Sequence, residues 1–220
     1  MTAPLPASPP LHGTEAPSAW VQRWSHLVRA HGTVLDVACG HGRHTRWLDA
    51  LGHAVTAVDR SSDAIEAIAA SLTKGEAVVA DIENGPWPFA HRQFDAVVVT
   101  NYLWRPLMPT LLASLAPGGV LIYETFTAGN ETVGKPSRPD FLLRTGELLT
   151  VCAGLRVVAF EDGFEERGDG TGQPVLQRFV QRIAAVNEPP IDTGLPSPES
   201  PSQAVPARYQ LPWGLGRMQD

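Results

Sequence analysis

The chain has 220 residues, 43% of them hydrophobic, which is enough for one sizeable core and, on length, favours one domain over two. A formal net charge of −6 gives no overall cationic field to gather nucleic acid, so a small molecule or a protein is the favoured partner, with a local basic patch left open. The two cysteines, Cys39 and Cys152, argue against a disulfide framework or a thiolate metal site; MTAPLPASPPLHG holds no apolar leader and no run is long enough to span a bilayer, so a cytoplasmic protein is expected.

Residues 1–17, rich in Pro, Ala and Ser, read as a disordered tail. Ser18 can cap a helix carrying Trp20, Val21, Trp24, Leu27 and Val28 at helical spacing. The apolar, β-branched run 33–38 suits a parallel strand buried on both faces, and Cys39-Gly40-His41-Gly42 breaks it. Gly40 and Gly42 can take backbone angles closed to other residues and leave room for a ligand against the main chain. Residues 43–51 form a helix with Trp47, Leu48 and Leu51 on one face, stopped by Gly52. The second strand, 54–58, ends at Asp59, about 20 residues past the glycines, where a carboxylate is placed to accept hydrogen bonds from ribose hydroxyls.

Charge narrows the ligand. A dinucleotide turn reads GxGxxG, but Thr45 holds the third glycine position, and Asp36 just before the turn would repel a pyrophosphate while attracting an ammonium or sulfonium group. S-adenosylmethionine carries both cations, an adenosine and no phosphate. LDVACGHGRHT, with AVD closing the second strand, resembles motif I and the acidic ribose loop of class I S-adenosylmethionine-dependent methyltransferases. The resemblance runs over residues 20–186 and takes in DIENGPWPF, FDAVVVTNYLWRPL and LAPGGVLIYETF; the last two, with KPSRPDFLLRTGELL, are similar to bacterial methyltransferases of the tellurite-resistance-like group. It implies a Rossmann-like α/β fold with a doubly wound, mostly parallel seven-stranded sheet and one antiparallel strand. S-adenosylmethionine is the implied cofactor, with contacts at Asp36, Ala38, Gly40, Gly42, Asp59, Arg60, Asp81, Ile82 and Asn101. In the resembled fold Asp81 accepts from the adenine amino group while Ile82 packs on the ring, and the first helix lies over the cofactor. The alternatives are that Asp81 caps a turn and that Trp20 and Trp24 are core packing.

Farther along, Ser61 or Ser62 can cap a helix running through Ala70, 76–80 reads as a strand, and the proline-punctuated 84–90 as a loop. The continuous apolar run 94–100 is a strand with Asn101 and Tyr102 at its carboxyl end, the edge where open α/β sheets bind ligands. Tyr102, Trp104 and Arg105, with Asn101, are therefore the leading substrate-side candidates, the alternative being packing and a surface charge. NYLWRP departs from the Pro-Pro-Tyr pattern of base-amino methylases, which argues against that acceptor. A helix over 106–115 and a sharp Pro117-Gly118-Gly119 turn lead into a strand over 120–126, whose Glu124 is either a buried acceptor near the site or a salt-bridge partner. The long connection 128–144 is a substrate lid or a solvated loop, although Phe141, Leu142 and Leu143 need something to bury them. Thr145 can cap a short helix ending near residue 154; 155–160 and 175–185 read as two strands joined by the polar turn EERGDGTGQ. From 187 the chain is Pro- and Ser-rich and expected to be mostly disordered, with Tyr209, Leu211 and Trp213 able to dock as a short peptide.

The expected activity of a single domain over 18–186 is transfer of the sulfonium methyl to a small-molecule acceptor, through in-line placement and exclusion of water. No residue is singled out as catalytic, His41 and His44 flanking the turn without a pocket to assign them to, and no metal-ligand spacing occurs. A non-catalytic S-adenosylmethionine-binding protein and a dinucleotide-dependent oxidoreductase are the rival readings. The acceptor and the oligomeric state are left open.

Overall fold

The computed structural model of the chain describes residues 16–168, 174–188 and 208–211. The expected N-terminal tail up to residue 15, the tip of the closing hairpin and most of the C-terminal tail, Trp213 included, lie outside them. Helix and strand alternate from α1 (Ala19–Trp24) through β1 (Thr33–Val37), α2 (Arg43–Ala50), β2 (Ala54–Asp59), α3 (Ser62–Ala69) and β3 (Glu76–Val79). They continue with β4 (Phe94–Thr100), α4 (Met108–Ala113), β5 (Leu115–Phe126), α5 (Glu147–Val151), β6 (Arg156–Gly168) and β7 (Pro174–Val186). One seven-stranded sheet runs in the order β3-β2-β1-β4-β5-β7-β6, with β7 antiparallel to its neighbours and the other strands parallel to one another. After β3 the chain crosses back to the far side of β1, so the topological switch lies between β1 and β4. Among the described residues no helix is long and apolar enough to cross a membrane.

Alternation along strands apolar on both faces builds the two sides of the core. Leu35 and Val37, Val97 and Val99, and Leu121 and Tyr123 face one cluster; Val34, Ala96, Val98, Val120 and Ile122 face the other. Trp20 and Trp24 belong to the second cluster, and the Trp20 indole N–H donates to the Ile183 carbonyl at 3.2 Å. The tryptophans are thus core packing on the sheet. Ser18 caps α1 by accepting from the Trp20 N–H, and Ser61 caps α3 by accepting from the Ala64 N–H.

Three local expectations need correction. The helix expected over 106–115 is shorter: Pro106 and Pro109 leave a 3-10 turn at Arg105–Leu107 and two turns of α4. Ala116 to Gly119 is not a turn before the strand but a register shift within β5, absorbed by Gly118 at φ +78°. Gly146, at φ +69°, occupies the N-cap position of α5 in place of Thr145.

The closing hairpin is also longer than its apolar segments suggest. Within EDGFEERG two of the four acidic residues face arginines across the ladder, Glu161 opposite Arg182 and Glu165 opposite Arg178, while Asp162 and Glu166 face Gln181 and Gln177, and Phe164 stacks on Phe179 with centroids 5.0 Å apart. Cross-strand pairs of opposite charge stabilise a strand whose sequence looks like a turn. Beyond β7, Asn187 bonds the Gly118 and Gly119 backbone, and Tyr209 packs against the second core cluster while the Gln210 carbonyl meets His26 at 2.8 Å.

The connection 127–146 is held at several points. Thr127 bridges to Leu143, Leu142 and Leu143 are buried, and the Arg105 guanidinium makes a two-pronged ion pair with Glu147, at 2.7 and 2.9 Å, while donating to the Asp140 and Leu142 carbonyls. Arg105 therefore straps the connection to α5. Replacing it by alanine should cost about 2–3 kcal/mol, because the half-buried Glu147 loses its partner and two carbonyls lose a donor. Urea unfolding checks the size of the loss, and faster hydrogen exchange confined at first to 138–149 checks its place.

Candidate functional site

β1 stops where the chain turns over the edge of the sheet. Ala38, Gly40 and Gly42 all have positive φ, of +52°, +53° and +76°. Such a run of left-handed residues, one of them not glycine, points the intervening peptides away from any regular element. The turn is tied to β2 by the Gly40 N–H, which donates to Asp59 Oδ2 at 2.8 Å, and by the Cys39 N–H on the Val58 carbonyl at 3.0 Å. Asp59 Oδ1 accepts from the Ser61 N–H at 3.0 Å, so the carboxylate is oriented at both ends.

The two glycines differ in what a side chain would meet. A Cβ on Gly40 has nothing within 4 Å, whereas one on Gly42 would lie 2.6 Å from Ile68 Cγ1. Gly40 faces open space and Gly42 faces the core.

Two cavities flank the turn. The first, of about 400 Å³, is lined by Ala38, Asp59, Arg60, Ala80, Asp81, Ile82, Glu83, Tyr102 and Phe141. It combines two carboxylates from the ends of β2 and β3 with apolar walls. Asp81 is exposed and caps its own turn, Oδ1 accepting from the Glu83 and Asn84 N–H groups and Oδ2 from the Asn84 side chain. Those bonds, the Asn84 amide first, hold its carboxyl below the usual carboxylate range. Asp81 therefore caps its turn, as one of the two readings expects, and also lines the cavity. The Tyr102 hydroxyl is buried near Glu83 but reaches no group in hydrogen-bond geometry, and burial followed by the Glu83 charge pushes its pKa up. Phe141 is 41% exposed and stands on the cavity wall, under the Arg138 guanidinium.

The second cavity, of about 410 Å³, lies over the ends of β4 and β5; its lining includes Ser18, Arg43, Asn101, Glu124, Phe126, Lys135, Arg167, Leu176 and Arg178. Glu124 is 1% exposed and already engaged: Oε1 accepts from the Ser18 hydroxyl and Oε2 from Arg182, each at 2.9 Å, with Arg178 at 3.6 Å. It is both of the things expected of it, a buried acceptor at the site and a salt-bridge partner. Asn101, at φ +54°, donates its backbone N–H to the Glu124 carbonyl.

Five of the expected site residues, Asp36, Gly40, Gly42, Trp104 and Arg105, are absent from the lining of both cavities. Asp36 lines neither cavity; it is buried beneath the turn, where it accepts from the Thr45 hydroxyl at 2.5 Å. Burial, offset in part by that bond, raises its pKa to about 6. Its charge acts on the turn from below and not by contact. Trp104 is half-buried against the first core cluster and also lines neither cavity.

His44, near the second cavity, is no base either. Its Nε2 accepts from the Ser18 N–H at 3.0 Å, which leaves Nδ1 to carry the proton toward the Thr100 hydroxyl at 3.3 Å, and burial followed by the Arg43 charge lowers its pKa to about 3. Sequence reasoning missed Ser18, Arg43, Lys135, Arg167 and Arg178 as lining residues. For Arg178 and Arg182 a signal existed, as residues four apart on a strand share a face.

Residues 34–119 match a family model described as a methyltransferase domain. Among curated proteins no sequence matches significantly. TehB from Haemophilus influenzae superposes with a TM-score of 0.60 at 19% identity, over 74% of this chain and 60% of that one, so the chain spans less than two thirds of it. A SAM-dependent methyltransferase from Methanosarcina mazei gives 0.58 at 17% identity, over 79% and 99%. The N-methyltransferase NodS from Bradyrhizobium japonicum gives 0.55 at 18% identity, over 76% and 96%. At these identities the structures speak for the fold. S-adenosylmethionine fits the residues present, which offer an open cradle at Gly40, an oriented carboxylate at Asp59 and an apolar slot ending in Asp81.

Gly40→Val should leave a folded protein that no longer binds S-adenosylhomocysteine, read by circular dichroism and calorimetry. Gly42→Ala, by contrast, should lose about 2–4 kcal/mol of stability, from left-handed strain plus overpacking on Ile68.

The Asp36 shift carries a pH dependence. With the folded pKa raised from 3.8 to about 6, the folded state holds the proton more tightly, so the contribution is complete below pH 3.8 and lost as pH rises through 6. Between pH 4.5 and 7.5 the parent should lose about 2 kcal/mol of unfolding free energy relative to Asp36→Asn. Equal pH profiles for the two proteins would remove Asp36 as the cause.

Proposed function

We propose that this chain, a class I S-adenosylmethionine-dependent methyltransferase by its domain match and its fold, transfers the sulfonium methyl to a small-molecule acceptor. The observation that supports this reading is the pair of cavities on either side of the glycine turn, one lined by the Asp59 and Asp81 carboxylates and one beyond the switch point. When bound, S-adenosylmethionine supplies an activated methyl on a positively charged sulfur.

In this reading Asp59 accepts from the ribose hydroxyls with the lone pairs that Gly40 and Ser61 leave free, and Arg60 borders the same end of the cavity. Asp81 accepts from the adenine amino group, and Ala80 and Ile82 pack on the ring, with Tyr102 and Phe141 closing the slot. The methionine half follows the turn past Gly40 toward Asn101, at the border of the second cavity. That cavity then receives the acceptor, and the 128–144 connection, which contributes Phe141 to one cavity and Lys135 to the other, shields both from water. A bond forms from the acceptor's lone pair to the methyl carbon as the carbon–sulfur bond breaks, its electron pair staying on sulfur. Because Glu124 and His44 already hold their partners, the chain's contribution is placement and dehydration in place of proton abstraction. The cytoplasm is the proposed compartment, supported by the two buried free thiols at Cys39 and Cys152.

Asp59→Ala should weaken S-adenosylhomocysteine binding by roughly ten- to a hundredfold, the ~1.5–3 kcal/mol of a charge-assisted hydrogen bond. Calorimetry decides this point. Formation of S-adenosylhomocysteine with a metabolite extract decides catalysis, since a protein that binds the cofactor without turnover would form none.

A further inference from the structure

We propose that the second cavity selects an acceptor that carries an anionic group, a carboxylate or a phosphate, on an apolar body. The inference rests on the reading of that cavity as the acceptor's and adds the acceptor's charge. Four cationic side chains, Arg43, Lys135, Arg167 and Arg178, line the cavity against one carboxylate, Glu124. Glu165 stands behind, paired with Arg167 at 2.7 Å and with Arg178 at 2.8 Å, so four positive charges meet two negative ones. Arg182, outside the lining, pairs with Glu124 at 2.9 Å, Glu161 at 3.0 Å and Glu165 at 3.3 Å. With Arg43 engaged elsewhere in the chain, Lys135, Arg167 and Arg178 still outnumber Glu124 and Glu165, a local positive balance in a chain whose net charge is −6.

The distribution of that excess matters. Arg43 opens α2 directly after the glycine turn and has a partner within the chain, so the acceptor's anion is assigned to the other cations. Lys135 sits across the cavity on the 128–144 connection, exposed and with no hydrogen bond or ion pair among the described residues. Its ammonium, with Arg167 and Arg178 on the hairpin, remains for that anion. Low-dielectric walls strengthen such attraction, and Phe126 and Leu176 supply them. Glu124, held by Ser18 and Arg182, adds a repulsive element against acidic groups at the floor, which would keep the anionic end of an acceptor at the Lys135 side.

The test uses the full chain saturated with S-adenosylhomocysteine and small probes of one shape: benzoate and phenyl phosphate as anions, benzamide and benzyl alcohol as neutral counterparts, benzylamine as the cation. Ligand-observed NMR titration should show at least one anion binding roughly tenfold more tightly than the neutral probes, and weakening as salt is raised from 50 to 300 mM. The two anions tell carboxylate from phosphate. Lys135→Glu should remove that preference and leave affinity for S-adenosylhomocysteine unchanged. Equal binding of anionic, neutral and cationic probes, or no binding by any of them, or an unaltered preference in Lys135→Glu, would overturn the inference alone. Failure of the unmodified protein to bind S-adenosylhomocysteine would overturn the methyltransferase reading with it.

Discussion

The hydrogen bond from the Gly40 N–H to Asp59 Oδ2 fixes the geometry on which the rest of the site depends. β1 and β2 are parallel neighbours, but their carboxyl ends would be free to diverge once the ladder stops. A carboxylate that takes one backbone donor from each side, Gly40 before α2 and Ser61 before α3, holds both loops at a common spacing. The cavity on the far side of Asp59 then has a defined floor, and a ligand hydroxyl meets an acceptor already oriented. Gly42 closes the turn against Ile68 of α3, so the same short segment touches ligand space and core two residues apart.

Glu124 plays the corresponding part on the other side of the switch. A carboxylate at 1% exposure would cost several kcal/mol if unpaired. Its partners come from the start of α1, through Ser18, and from β7, through Arg182. Satisfying it therefore obliges the first helix and the last strand to meet over β5, and the second cavity is what remains between them. Removing Arg182 would leave this buried carboxylate only Ser18 and, at 3.6 Å, Arg178, so this half of the site is coupled to the fold more tightly than the half around Asp81, whose carboxylate is solvated.

The parallel half of the domain was legible in the sequence because its signal is local. A continuous apolar run, a glycine break and an acidic residue at the next strand end fall within 27 residues of one another, and each has one physical reading. The seven-stranded sheet with its antiparallel strand follows the same way, from the resemblance of four motifs in order. Asp36 shows the limit of a local argument. Its sign was the right quantity to consider, but charge says nothing about depth, and the Thr45 hydroxyl nine residues on draws the carboxylate under the turn. The β6–β7 hairpin was read short for a different reason. EERG looks like a turn until Arg178 lies opposite Glu165, with Arg182 opposite Glu161 farther down the ladder, and no property of either segment alone reveals that pairing.

This difference also separates the two cavities. The first is lined largely by residues at or just after strand ends, so their position in the fold is fixed once the strands are found. Residues lining the second cavity are brought together from α1, β5, the 128–144 connection and the hairpin, separated by as many as 162 positions, as Ala16 and Arg178 are. Their summed charge in one recess is a property that a linear pattern does not record. A doubly wound sheet can keep the first set constant while insertions after β5 and extensions of the closing hairpin vary the second. In this chain those two variable segments supply Lys135, Arg167 and Arg178, and the positive balance of the recess comes from them.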